Sequence, residues 1–255
     1  MKALITGASS GIGYEMAKYL ASKNIDLILV ARRKSRLDKM KKEFKNVDVK
    51  VIPLDISIYD NLELLYNSVK DDDIDILINN AGFGLFGDFD ETDLDTEFNM
   101  IDLNIKALHY LTKKFLIDFK EKDSGYILNV ASSAGFTAGP RLSTYYATKN
   151  YVLKLTEAIY EELRQAKSNV HVSALCPGPV ATEFNSVAHG EFASKGISAE
   201  YVAKYAIDRM FKNKLLIVPT LKIRSAIFIQ RFLPIKLVLR FIYIFQSGKM
   251  NKKDV

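Results

Sequence analysis

The 255-residue chain is 48% hydrophobic and 26% charged, a balance that supports a packed core and excludes a disordered chain. Its net charge of +6 is unevenly placed: ten of the 36 cations but one of the 30 anions lie beyond Phe211, so the body is near neutral and the tail basic. The basic residues sit among aliphatics, not along an aromatic-lined groove, which argues against nucleic-acid binding, and the lone Cys176 cannot form an internal disulfide, which fits a reducing cytoplasm.

Met1 leads straight into an apolar strand, Lys2 to Thr6, with no signal-peptide pattern. Gly7-Ala8-Ser9-Ser10-Gly11-Ile12-Gly13 follows, and then a helical pattern through Met16, Ala17, Leu20 and Ala21. A strand, a glycine turn and a helix start make a phosphate cradle, because glycine admits close backbone approach and the helix N-terminus presents free N–H groups. The order Gly-x-x-x-Gly-x-Gly is not the Gly-x-Gly-x-x-Gly fingerprint. Asp26 to Ala31 is a second strand, and its end is where a dinucleotide's adenosine ribose is expected. A carboxylate there favours NAD, whereas a guanidinium accommodates a 2′-phosphate. The chain has Arg32-Arg33, which reads as an NADP site.

Val47 to Leu54 predicts a third strand, ending at Asp55-Ile56, and Ile74 to Ile78 a fourth, ending in Asn79-Asn80-Ala81-Gly82. Strands and helices alternate with short connections, which predicts a doubly wound, mainly parallel sheet with right-handed crossovers. The acids Asp88, Asp90, Glu91, Asp93, Asp95 and Glu97 suit the start of a long helix from Leu94 to about Phe119 and lack the Cys/His support of a metal site. Asn104 lies in the middle of that helix, where asparagine is a mildly poor choice. Tyr126 to Val130 is a buried strand with Ser132 just beyond its end, and Ser143 to about Arg164 is a helix. Within that helix Tyr145 and Lys149 stand one turn apart on one face. A phenol titrates near ~10, and a neighbouring cation favours phenolate, which brings an acid/base group towards neutral pH. Tyr146 could also face Lys149, and Ser133 neighbours Ser132. Val170 to Leu175 is the sixth strand, followed by Pro177-Gly178-Pro179-Val180-Ala181-Thr182. Glu183 to Gly196 lacks a clear period and reads as a lid, and Leu215 to Val218 is the seventh strand.

In order and spacing, Thr6-Gly7-x-x-x-Gly11-x-Gly13, Asp55, Asn79-Asn80-Ala81-Gly82, Asn104, Ser132, Tyr145-x-x-x-Lys149 and Pro177-Gly178-x-x-x-Thr182 closely resemble the short-chain dehydrogenase/reductase superfamily over residues 1 to about 220. They are similar to its roughly 250-residue branch of Rossmann-fold oxidoreductases. The family's serine-to-tyrosine interval of thirteen selects Ser132 and Tyr145 over their neighbours. The resemblance implies an NADP(H)-dependent enzyme that moves a hydride between nicotinamide and a carbonyl or secondary alcohol. It casts Tyr145 as general acid/base, Lys149 as the group that lowers its pKa and binds nicotinamide ribose, Ser132 as the partner of the substrate oxygen, and Asn104 as the holder of a relay water. The dinucleotide contacts would come from Gly7, Ser9, Ser10, Gly11, Ile12, Gly13, Arg32, Arg33, Asp55, Ile56, Asn80, Ala81, Gly82, Pro177, Gly178, Val180 and Thr182, with Tyr145 and Lys149. An NADP-binding sensor or scaffold without turnover is the rival on the same fold. Phe83, Leu85, Phe86, Phe136, Phe184 and Phe192 flank the site and suggest a small apolar substrate.

Residues 221–255 form a separate C-terminal extension in this reading. Ser225 to Gln246 is almost wholly apolar, but Gln230, Arg231, Pro234, Lys236 and Arg240 break it into pieces too short to span a bilayer. Beyond Pro234 a helix of about three turns carries a stripe of Lys236, Arg240 and Tyr243. Two roles stay open for its apolar face: packing on the body or in a homodimer or homotetramer, and peripheral contact with the inner membrane surface.

Overall fold

The computed structural model describes residues 1–184 and 196–247. Seven parallel strands form one sheet: β1 (Lys2–Thr6), β2 (Asp26–Ala31), β3 (Val49–Pro53), β4 (Ile76–Asn79), β5 (Gly125–Val130), β6 (Val170–Leu175) and β9 (Leu216–Ile217). Their spatial order is β3-β2-β1-β4-β5-β6-β9, so the direction of winding reverses between β1 and β4. A crevice outside the strand ends at such a reversal is where open α/β sheets bind ligands. A two-residue ribbon, β7 (Val180–Ala181) with β8 (Ile197–Ser198), lies apart from the sheet.

Successive residues of a strand face opposite sides, and β1 shows both sides buried. Ala3 and Ile5 join one cluster with Met16 and Leu20 of α1 (Gly11–Ala21), Leu37 of α2 (Lys34–Glu43), and Val202 and Ile207 of α7 (Ala199–Met210). Leu4 joins the other with Leu62 of α3 (Tyr59–Val69), Phe115 of α5 (Leu108–Glu121) and Ile159 of α6 (Ser143–Gln165). Both faces of the sheet are covered, which is why its strands read as unbroken apolar runs.

The expected strands at Lys2–Thr6, Asp26–Ala31 and Val170–Leu175 are observed with those bounds. The fourth begins later than expected, at Ile76, because Asp75 turns its carboxylate to the N–H of Lys2 at 2.9 Å. The helix expected over 94–119 is interrupted. α4 (Leu94–Ile101), N-capped by Asp93 through the Thr96 N–H, passes into a π turn over Asp102–Ala107 before α5 begins. Asn104 sits in that turn. Most of the expected lid, with Phe192, lies outside the described residues.

The tail folds into α8 (Leu221–Ile229), a 3-10 turn (Gln230–Phe232) and α9 (Ile235–Ser247). Val238 and Gln246 alone are buried among residues 221–247. The arm touches the body through Gln230, which donates to Phe136 O at 3.2 Å, and through Tyr243, whose ring lies 5.0 Å from the Arg141 guanidinium. Packing on the body therefore covers only a narrow stripe of α9. Phe232, Phe241 and Ile244 are each at least 60% exposed. No helix among the described residues is long and apolar enough to cross a membrane.

Candidate active site

The crevice between β1 and β4 opens into a cavity of about 460 Å³. Every residue singled out from the sequence for catalysis or dinucleotide contact lines it except Gly13 and Asn104. Gly7 begins the cradle with a φ of +64°, a conformation that favours glycine. Ser10 precedes α1 without a side-chain cap, so the N–H groups of the first turn point out as the sequence anticipates.

The cradle is held from beneath by β4. Asn80 Nδ2 donates to Thr6 O at 3.0 Å and Gly7 O at 3.1 Å, while Thr6 Oγ1 accepts from the N–H groups of Asn80 and Ala81, both at 3.0 Å. The same packing leaves no room for a side chain at Gly13. A Cβ there would meet Asn80 Nδ2 and Gly7 O at 2.5 Å, so Gly13 makes room for the brace.

The two arginines after β2 are engaged differently. Arg33 donates to Ser9 Oγ and Ser10 Oγ and pairs with Glu183 at 2.8 Å, and Arg36 takes the other oxygen of Glu183 at 2.7 Å. These bonds hold the Glu183 carboxyl below its usual range. Arg32 has only a 3.6 Å ion pair with Asp55, and its side chain is 71% exposed. Asp55 also accepts from Ser57 N and Oγ.

The Asn104 side chain is fully engaged with its neighbours. Its Nδ2 donates to Phe83 O at 2.9 Å and Thr148 Oγ1 at 3.0 Å, and its Oδ1 accepts from Phe83 N at 3.1 Å. Both amide hydrogens are spent tying the π turn to the exit of β4 and to α6. Side chains at the widened turn of a helix are often placed for such a task.

Ser132, Tyr145 and Lys149 lie together on the cavity wall. Ser132 Oγ also accepts from Ala134 N at 3.1 Å at the start of a 3-10 turn (Ser133–Phe136). Lys149 donates to Val130 O at 2.8 Å, and its Nζ is 5.9 Å from the Tyr145 ring centre. The expected lowering of the phenol by the lysine is not seen. Burial pushes Tyr145 up to about 12 against the pull of Ser132, and burial brings Lys149 down to about 8. Desolvation disfavours each charged form and is the largest cause of both shifts. Cys176 is a buried hydrophobe, its thiol pushed up to about 12.

Several contributions were not anticipated from the sequence. Thr6 heads the glycine motif and Thr148 lies outside every motif, and the hydroxyls of both become acceptors only through the fold. Phe245 and Gln246 reach the cavity from α9, and no local pattern marks them. Of the aromatic residues expected around the site, Phe83 and Phe184 line the cavity, and Phe86 packs beside it against Leu142.

A family model described as short chain dehydrogenase matches residues 1–191. An uncharacterized oxidoreductase of Staphylococcus saprophyticus is 34% identical over 215 residues, 83% of this chain and 83% of that protein. Among solved structures, a short-chain dehydrogenase from Sphingobium yanoikuyae in complex with NADPH is 31% identical, covers 86% of this chain and 88% of its own, and superposes with a TM-score of 0.81. The bulky-bulky ketone specific alcohol dehydrogenase from Comamonas testosteroni is 27% identical, covers 91% and 92%, and gives 0.79.

The opposed shifts of Lys149 and Tyr145 make stability depend on pH in two windows. Between about 8 and 10.5 the unfolded lysine holds a proton that the native one has lost, so stability rises with pH. Tyr145 works the other way: its contribution is full below pH 10 and is lost as pH rises towards about 12. Lys149→Met is expected to remove the first effect, worth roughly 1.4 kcal/mol for each pH unit crossed. Urea unfolding of the variant and the parent from pH 7 to 10 checks this, and parallel pH profiles would contradict it.

Proposed function

The chain belongs to the short-chain dehydrogenase family and is an oxidoreductase; from that premise we propose that it is an NADP(H)-dependent enzyme interconverting a carbonyl and a secondary alcohol on an apolar substrate, with Tyr145 as acid/base. The observation that carries the reading is the half-buried Tyr145, set with Ser132 and Lys149 on the wall of the same cavity that the glycine cradle lines.

The residues present fit a dinucleotide. Uncapped N–H groups at the start of α1 and the seryl hydroxyls of Ser9 and Ser10 suit a pyrophosphate, and Arg33 with Arg36 already holds an anion, the Glu183 carboxylate. Arg32 is the more accessible guanidinium and suits a 2′-phosphate. The nicotinamide, when bound, supplies or takes up the hydride. In the reducing direction Ser132 holds the substrate oxygen by a hydrogen bond and Tyr145 gives that oxygen its phenolic proton, so a C=O becomes CH–OH with one hydride and one proton added. Burial keeps the phenol protonated through the neutral range, the state this step requires. Lys149 and Asn104 fix positions: the first through Val130 O, the second through Phe83 and Thr148. The support for NADP over NAD is the arginine pair, and the NADPH bound by the Sphingobium relative agrees with it.

The exposed side of the arm suits a partner of opposite charge. Residues 221–247 hold Lys222, Arg224, Arg231, Lys236 and Arg240 with no acid, and Phe228, Phe232, Ile235, Phe241 and Ile244 stand out between them. Apolar area of this kind marks an interaction surface. A twin arm would bring cation against cation, whereas an anionic bilayer interface accepts both the cations and the apolar side chains. We read residues 1–220 as the catalytic unit and the arm as its peripheral membrane contact; a homo-oligomer would use another face.

Three outcomes follow. Tyr145→Phe should lower kcat at least ~100-fold and leave NADPH affinity intact, while Tyr146→Phe retains the proton donor; steady-state rates and cofactor titration check this, and retained turnover in Tyr145→Phe would reassign the acid/base. Arg32→Ala should raise the Kd for NADPH by about tenfold or more and leave NADH nearly unchanged, since a charge-assisted phosphate contact is lost; equal losses would remove the basis for NADP preference. The full chain should pellet with phosphatidylglycerol vesicles at low salt but not with phosphatidylcholine, and Lys236→Glu with Arg240→Glu should abolish it. Failure to pellet would exclude the membrane contact.

A further inference from the structure

The last turn of α9 gives the cavity wall Phe245 and Gln246. Gln246 is the one buried polar side chain among the arm's described residues, at 1% exposed. Its Nε2 donates to the Tyr146 hydroxyl at 2.8 Å, and its Oε1 is buried with no hydrogen-bond partner. Buried amide oxygens are nearly always paired. The Tyr146 hydroxyl accepts from Gln246, which leaves its own proton to give. Tyr146 is also a cavity residue, adjacent in sequence to the proposed acid/base.

We propose that Gln246 and Tyr146 form a recognition subsite for a hydroxyl group that the substrate carries away from its reacting carbonyl. The inference rests on the oxidoreductase reading above and names the substrate class for it: hydroxylated, otherwise apolar ketones and the corresponding diols. A hydroxyl gives its proton to Gln246 Oε1 and accepts the proton of Tyr146. A carboxylate has nothing to give Oε1, and an ammonium group accepts nothing from Tyr146. Turning the amide by 180° exchanges donor and acceptor, and a hydroxyl satisfies that arrangement as well. The surroundings are apolar, with Leu142, Phe184 and Phe245 on the same wall, so a lone hydroxyl on a hydrocarbon frame matches the pair. The catalytic unit alone lacks this subsite, because Gln246 arrives from the arm.

The test uses matched ketones that differ by hydroxyl or methyl at one remote carbon: 4-hydroxycyclohexanone with 4-methylcyclohexanone, and 4′-hydroxyacetophenone with 4′-methylacetophenone. NADPH oxidation is followed for the full chain, Gln246→Leu and Tyr146→Phe, and the readout is the hydroxyl-to-methyl ratio of kcat/KM within each protein, so a general loss of activity cancels. The parent should favour at least one hydroxylated member by about tenfold, mainly through KM, and both variants should bring that ratio to within about twofold of one. Tyr146→Phe removes a single oxygen and keeps the test decisive should Gln246→Leu fold poorly. A parent ratio near one for both pairs, or a ratio the variants leave unchanged, would overturn the subsite while the oxidoreductase reading stands. Absence of turnover with every ketone would overturn that reading and the subsite with it.

Discussion

The site depends on one join, the clasp between the ends of β1 and β4. Parallel strands diverge past their last ladder bond, and at the winding reversal nothing in the sheet itself fixes what lies beyond. Asn80 closes that gap by donating to the carbonyls of Thr6 and Gly7 while its own N–H and that of Ala81 go to Thr6 Oγ1. The turn is thereby shaped before any ligand arrives, and little ordering remains to oppose binding. From the same segment the chain runs on to Phe83, whose N–H and C=O are both taken by Asn104, so cradle and catalytic wall share one frame.

A second polar chain crosses the middle of the sheet. Asn79 Nδ2 bonds Thr112 Oγ1 and Asn129 Oδ1, and Asn129 Nδ2 bonds Thr156 Oγ1, linking β4, α5, β5 and α6 through side chains that are at most 3% exposed. An apolar filling at these positions could slide by a fraction of a turn. Directional bonds in a low-dielectric interior cannot, and α6 is the helix that carries Tyr145 and Lys149. The network sets the height of the phenol relative to the strand ends at the cost of desolvating several amides.

How much was legible follows from which forces are local. Strand runs such as Asp26–Ala31 were readable because both faces of the sheet are buried, and the glycine turn and the Tyr145/Lys149 spacing were readable because one turn of backbone fixes each. The π turn at Asn104 was hidden: its cause is a pair of bonds to Phe83, 21 residues away. At Gly13 the glycine itself was legible, but not the crowding by Asn80 that leaves no space for a side chain there. The direction of the Tyr145 shift was misjudged because sequence reveals which charges are neighbours but not how much water they lose. Gln246 had no local signature at all, since it bonds Tyr146 across 100 residues.

The arm's shallow seating has a consequence for amide exchange. With two buried residues in 221–247, against strands such as β1 in which four of five are buried, the arm's opening free energy lies near the bottom of the molecule's range and is decoupled from that of the sheet. Backbone amides of α9 will therefore lose their protons to solvent in a brief, local excursion that leaves the β-ladder protected. Because Phe245 and Gln246 travel with that helix, each such excursion opens one side of the cavity, and the cavity's contour is governed by the stability of a peripheral helix rather than by that of the fold.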